Sequence, residues 1–260
     1  LPISFDSNKD CLAVKKHFSD ILPHDKDIDV IQELFGYLLL RDQPFEKSFM
    51  FTGTGRNGKG KTLALMKHFI GIDNITNITL QQLDNDIFSV AELHNKLANL
   101  GGDISKTALK ETGMFKCLVG RDLISAARKF MNRLGFVNYS KMVFCANELP
   151  ITYDLTIAFF NRWIILDFPY TFLKQEEINK LEDTKNVKLA DAEIILKLST
   201  DDELSGLFNW ALEGLHNLWD NKGFSYSATT EETKKLWLRK SSSFNAFCMD
   251  SIVETYNGEI

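Results

Sequence analysis

The segment Gly53-Thr54-Gly55-Arg56-Asn57-Gly58-Lys59-Gly60-Lys61-Thr62 constrains this chain more than any other stretch. It follows a short apolar run, Ser48-Phe49-Met50-Phe51-Thr52, with the character of a buried strand. It precedes Leu63-Ala64-Leu65-Met66-Lys67-His68-Phe69-Ile70, whose apolar spacing is helical and which Gly71 stops. Strand, glycine-rich loop and helix are the setting in which a phosphate-binding P-loop works. Glycines let successive backbone N–H groups point into one concavity, and the helix N-terminus adds positive potential there. The nucleotide cradle is therefore expected from Gly53, Gly55, Arg56, Asn57, Gly58, Lys59, Gly60, Lys61 and Thr62. Two registers are open. One starts at Gly55 and makes Lys61 the phosphate lysine and Thr62 the magnesium ligand. The other starts at Gly53, directly after the strand, with Lys59 as the lysine and Gly60 where a hydroxyl residue is usual. A turn serving only to join strand and helix would not need two lysines in the loop.

The rest of the chain builds outward from this unit. Apolar residues between about 9 and 43 recur at spacings of three and four, interrupted by Pro23, and predict a small N-terminal bundle of two or three helices. Further buried strands are expected at 96–100, 142–146 and 163–168. With helical stretches between them, they predict an α/β fold with a mostly parallel sheet covered on both faces. From about 174 to 240 the pattern is helical again, with Ser225 to Thr230 as a polar linker into a last helix containing Trp237. The expected organisation is an N-terminal helical region over 1–45, a core over 46–172, a C-terminal helical subdomain over 173–240, and at 241–260 the start of a winged-helix region.

Charge narrows the partners. The net charge of −5 argues against a generally basic nucleic-acid coat. Between Asp103 and Lys141, however, eight basic residues face three acidic ones. A positive segment in an acidic body suits a local polyanion contact such as a channel. The four cysteines show no zinc-ligand spacing and read as plain thiols, which suits a reducing compartment. No apolar run approaches the roughly 18 residues that span a bilayer, so no membrane partner is expected. The start at Leu1 and the end at Ile260 suggest a piece of a longer chain.

The loop Gly-x-Gly-x-Asn-Gly-Lys resembles motif A of the phage and plasmid primase-helicase group within superfamily 3. The likeness continues in order. Gln32 to Leu40 resembles the helix preceding motif A, Lys96 to Ile104 resembles motif B, and Phe115 to Asp122 with the basic run to Arg133 resembles motif B prime. Lys141 to Pro150 resembles motif C, and Ala158 to Trp163 resembles the segment carrying the arginine finger. Together these cover roughly residues 30 to 172. Two departures stand out: Gly60 replaces the usual Ser, and Gly102 stands before a single Asp103 where many relatives carry two acids.

The resemblance implies an AAA+-like P-loop ATPase core and a replicative DNA helicase motor. Such a motor hydrolyses ATP with Mg2+ at the interfaces of a homo-hexameric ring and translocates on single-stranded DNA taken from a duplex. It implies Lys59 on the β- and γ-phosphates, Asp103 on magnesium and the attacking water with Thr62 as a further metal ligand, Asn147 as polar sensor, and Arg162 as the finger reaching a neighbour's nucleotide. Glu148 is the other carboxylate open for polarising the water. A hairpin over Ser125 to Val137 would carry Lys129 and Arg133 to DNA phosphates, with Phe130 or Phe136 as stacking or wedging aromatics, and Lys116 adds to the basic surface. A plasmid- or virus-encoded protein in the cytoplasm of a prokaryotic host, with a primase domain elsewhere in the full-length chain, completes the expectation. The rival classes are a P-loop kinase acting on a small acceptor and a nucleotide-binding assembly module without hydrolysis.

Overall fold

In the computed structural model, which describes residues 1–251, β1 (Ser48–Thr52) forms and runs into the glycine loop as the pattern predicts. It lies inside a five-stranded, all-parallel sheet with β2 (Ile75–Thr76), β3 (Ala98–Asp103), β6 (Lys141–Ala146) and β7 (Trp163–Asp167), in the order β2-β3-β6-β1-β7. The strands are buried on both faces because their side chains alternate between two apolar cores. Phe49, Phe51, Val143, Cys145, Ile164 and Leu166 enter one core; Met50, Met142, Phe144, Trp163 and Ile165 enter the other.

On the first face lie α1 (Leu12–Ile21), α2 (Asp25–Tyr37), α3 (Lys59–Ile70), α8 (Ile194–Leu198) and α9 (Asp201–Asp220). The N-terminal helices and the long C-terminal helix, separate in the sequence expectation, share this one layer. Their contact is close: a Cβ on Gly36 would lie 2.3 Å from the Ala211 carbonyl, and one on Gly214 would lie 2.5 Å from that of Gln32. Hydrogen bonds bind the two ends of the chain further, since Gln32 donates to the Trp210 carbonyl and the buried Glu33 accepts from Ser225. Thr200 and Thr229 cap α9 and α10 (Thr230–Ser241) through their hydroxyls, as the polar residues before those helices allow.

The second face carries α4 (Leu80–Asn85), α5 (Gly113–Val119), α6 (Ile157–Phe160) and α10. Two short 3₁₀ segments, Ile72–Asn74 and Ser89–Leu93, join the elements around β2 and β3. β4 (Leu123–Arg128) and β5 (Met131–Val137) form the expected antiparallel hairpin, a two-stranded sheet apart from the central one. From about 174, where helix is expected, the chain as far as 189 is instead largely irregular. The short α7 (Gln175–Ile178) lies between a parallel pair, β8 (Thr171–Leu173) and β9 (Val187–Leu189). α11 (Ser243–Ser251) follows α10, and the remainder of the expected winged-helix region lies outside the described residues. Cys11 and Cys145 are buried, while Cys117 and Cys248 are half-buried. No helix among the described residues is long and apolar enough to cross a membrane.

Candidate nucleotide site

The C-terminal ends of β3, β6 and β1 converge beside the glycine loop, and each delivers one polar group. Backbone conformation shapes the loop: Gly53, Gly55 and Gly58 have φ of 154°, 109° and 93°, and Arg56 has a left-handed φ of 47°. Such alternation turns N–H groups toward one side. At Gly53 the backbone also passes too near its neighbours for any side chain, since a Cβ there would sit 2.0 Å from Asn57 Nδ2 and 2.5 Å from the Phe168 carbonyl. Asn57 is buried and donates to that carbonyl at 3.2 Å, tying the loop to the end of β7. Arg56 leans outward, its guanidinium 2.6 Å from Glu177 and its carbonyl accepting from Phe172 N–H.

Lys59 opens α3, and the two candidate lysines differ in exposure and partners. The Lys59 side chain is buried, donating to the Gly53 carbonyl at 2.5 Å and to Asn147 Oδ1 at 3.1 Å, whereas Lys61 is exposed. Burial pushes the Lys59 ammonium below the ordinary lysine range, partly offset by the thiol of Cys145 and the carboxylates of Asp103 and Asp167. Asn147, at the end of β6, in turn donates to Asp103 Oδ2 at 3.5 Å. Lysine, sensor amide and carboxylate therefore form one polar chain across adjacent strands.

Asp103 reaches this position through a β-bulge. The pairing of β3 with β6 shifts between Gly101 and Asp103, leaving Gly102 as the extra residue. A bulge re-aims the next side chain. A Cβ on Gly102 would meet nothing within 4 Å, so the site has room for the second acid that the sequence lacks there.

Thr62 is fully buried, and its hydroxyl donates to the Gly58 carbonyl at 3.2 Å. The position after Lys59 is the exposed Gly60, which has no side chain to offer. The carboxylate beside Asn147 is the exposed Asp103, which no Lys or Arg pairs among the described residues. One carboxylate fits Mg2+, which usually keeps several waters and shares substrate phosphate oxygens. Glu148, the alternative carboxylate, faces Lys106 at 3.4 Å instead.

Arg162 lies at the other end of the sheet. Its carbonyl accepts from Ser48 N–H, at the start of β1, while Lys59 follows the end of that strand. Its guanidinium donates to the Ala158 carbonyl and stands 3.9 Å from Glu46. One of its nitrogens, Nε, is buried without a partner. It is thus remote from Lys59 of its own chain.

At the hairpin tip Phe130 is fully exposed, at 101% of its reference area, and Lys129 beside it is exposed as well. Arg133 folds back onto its own hairpin, donating through Nε to Ser125 Oγ at 2.8 Å. Phe136 is a core residue instead, buried at the hairpin base against His94. Lys116 is on α5 and pairs with Asp154 at 2.7 Å rather than joining the tip. Burial opposes ionisation of Asp154, but hydrogen bonds from Lys116, Thr112 and Thr156 hold its carboxyl well below the usual carboxylate range.

Two groups beside the loop had no signal in the sequence. Asp167, at the end of β7, accepts from Thr52 Oγ1 at 2.8 Å and from Lys240 of α10 at 2.8 Å. Lys240 is distant in sequence from every motif and falls outside the stretch that carried the family resemblance.

Comparison with known proteins places the fold among others. The model of a family described as "Family of unknown function (DUF5906)" matches residues 51–158. "Putative helicase V13" of Sputnik virophage is 25% identical over 81% of this chain, and "Putative helicase 121R" of Invertebrate iridescent virus 3 is 27% identical over 74% of it. The chain covers 27% and 22% of those two proteins, about a quarter of their length. Among solved structures, the apo A form of the NrS-1 C-terminal region superposes with a TM-score of 0.63 at 16% identity, covering 94% of this chain and 54% of that one. The α/β fold, a central parallel sheet flanked by helices, is common to both. The chain is thus similar to two proteins named as putative helicases and shares the fold of the NrS-1 region.

Proposed function

We propose that this domain is the ATP-hydrolysing motor of a replicative DNA helicase, working as a hexameric ring that moves along single-stranded DNA. The observation that carries the reading is the polar chain from Lys59 through Asn147 to Asp103 across the ends of three neighbouring strands. Phosphoryl transfer demands little covalent chemistry of a protein. It needs charge neutralised on the terminal phosphate and a water held in line. Lys59, already desolvated, supplies the positive charge, and backbone N–H groups of Gly53 to Lys59 hold the phosphate oxygens. Asp103 would hold Mg2+ and orient the attacking water, with Asn147 between lysine and carboxylate fixing both. Magnesium, when bound, neutralises phosphate charge as it builds in the transition state.

Arg162 is remote from the lysine of its own chain, which favours service to the next subunit's nucleotide. That makes hydrolysis a property of the ring. The exposed Phe130 and Lys129 suit a backbone-tracking, base-stacking contact that is blind to sequence, with Arg133 contributing positive potential. A primase elsewhere in the full-length chain, and a host cytoplasm in which a virus or plasmid replicates, belong to the same proposal.

The test is ATP turnover measured with and without single-stranded DNA over a range of protein concentrations, together with mass in solution. Turnover is expected to rise with both DNA and protein. Arg162→Ala and Lys59→Ala should each assemble without turnover, and mixing them should restore part of the rate. Full turnover by Arg162→Ala at dilution would refute the shared site. Tight ATP binding without hydrolysis would replace the motor with an assembly module, and DNA-independent transfer to a small acceptor would replace it with a kinase.

A further inference from the structure

A second lysine from the same chain reaches the phosphate loop, carried by a helix that follows the ATPase core. α10 is anchored firmly. Trp237 is fully buried, its indole N–H donates to the Pro150 carbonyl at 2.9 Å, and its ring packs against Phe159, Phe160 and Trp163. Three residues on, the Lys240 carbonyl accepts from Leu149 N–H at 3.3 Å, and its ammonium donates to Asp167 Oδ1 at 2.8 Å. Leu149 follows Asn147 beyond the end of β6, Asp167 ends β7, and β1 lies between those two strands. The Lys240 side chain therefore bridges across the mouth of β1, where the loop begins. The same Asp167 oxygen accepts from Thr52, the residue before Gly53. The Lys240 charge is felt at Lys59, where it opposes protonation.

An ion pair that only fastened α10 to the sheet would have little reason to stand at this mouth, and exposed pairs contribute little to stability. The side chains of Lys240 and Asp167 remain 30% and 50% exposed, so the ammonium can exchange partners without unfolding anything. A triphosphate seated on the loop brings far more negative charge than one carboxylate.

We propose that Lys240 is a phosphate-contacting residue of its own subunit's site, held ready by Asp167 and passed to the terminal phosphate of a bound nucleoside triphosphate. The proposal rests on the nucleotide reading above. It assigns α10 a part in telling triphosphate from diphosphate, because the contact exists only while the terminal phosphate does. Hydrolysis would return Lys240 to Asp167, linking the state of the nucleotide to the position of the C-terminal helices.

Calorimetric titration with ATPγS and with ADP, both with magnesium, tests this on wild type, Lys240→Gln, Lys240→Arg and Asp167→Asn, with thermal unfolding run alongside. Lys240→Gln keeps a hydrogen-bonding end toward Asp167 and should weaken ATPγS by about tenfold, the scale of one charge-assisted hydrogen bond, with a change in ADP below about twofold. Lys240→Arg should keep most of the discrimination. Asp167→Asn frees the lysine and removes a repelling charge, so it should tighten ATPγS. If Lys240→Gln and Asp167→Asn instead lower stability alike and leave the ratio of the two affinities unmoved, the pair is purely structural and the proposal falls alone. Should Lys240→Gln fail to fold, opposite signs for Lys240→Arg and Asp167→Asn on ADP rather than ATPγS would overturn it equally. Wild-type protein that binds neither nucleotide would sink the nucleotide reading itself.

Discussion

Lys141 offers a prediction that depends on no assumption about function. It begins β6, is fully buried, and its ammonium donates to the carbonyls of Leu40 and Tyr139 while standing 4.9 Å over the Tyr37 ring. Burial pushes it from the ordinary lysine value of 10.5 down to about 7, and the charge of Asp42 offsets only part of that. The folded protein at pH above 7 therefore holds fewer protons than the unfolded chain, in which this lysine stays charged to about 10.5. Stability must rise with pH across that interval. Cys11 and Cys145, whose thiols burial raises to about 12, act in the opposite sense once unfolded thiols ionise near 9, so the clean window lies between pH 7 and about 8.5. Over it Lys141 should add between about 1 and 2 kcal/mol, since a full proton difference is worth about 1.4 kcal/mol per pH unit. Urea unfolding followed by tryptophan fluorescence, on wild type and Lys141→Met at several pH values, isolates the effect. Met removes a donor from two carbonyls, a cost that does not vary with pH. A wild-type minus variant difference that stays level within about 0.3 kcal/mol across the window would show that the folded protein keeps the lysine charged, and the reasoning would fail.

Three further outcomes follow from packing and exposure. Gly53→Ala forces its methyl into Asn57 and the Phe168 carbonyl at a φ that disfavours side chains, so ATPγS binding measured by calorimetry should fall by about tenfold or more while far-ultraviolet dichroism keeps its native shape. Trp237→Ala removes a fully buried ring and its hydrogen bond to Pro150, and denaturant titration should record a loss of about 3–5 kcal/mol. Phe130→Ala touches nothing buried and should change stability by under about 0.5 kcal/mol, yet lower single-stranded DNA affinity in fluorescence anisotropy by about fivefold or more.

The loop and its neighbouring strands were legible because their physics is local. The run from Ser48 to Thr52 is apolar and ended by a glycine, and β1 takes those residues. The apolar runs at 142–146 and 163–168 likewise lie on β6 and β7. Four residues of the expected machinery, Lys59, Asn57, Asn147 and Asp103, converge beside one loop. What stayed hidden depends on distant parts of the chain. Thr62 satisfies a motif by spacing, and only the hydrogen bond to Gly58 shows its hydroxyl turned to the backbone. Phe136 and Phe130 are both hairpin aromatics, but the first meets His94 in the core and the second meets solvent. The bulge at Gly102 requires knowing which residue of β6 faces which of β3. From about 174 to 189 the expected helix gave way to a short strand that pairs with Thr171–Leu173, which no periodicity of one segment can reveal.

The glycine-tight seating of α2 against α9 also governs how the chain is made. About 160 residues separate the end of α2 from the start of α9, so a ribosome adding roughly 5–20 residues per second finishes one some ten to thirty seconds before its partner emerges. Throughout that interval the Gln32 and Gly36 face of α2, which seats against α9, is open to chaperones and to misassociation. Synthesis therefore imposes a vulnerable waiting period on whichever of the two helices is made earlier.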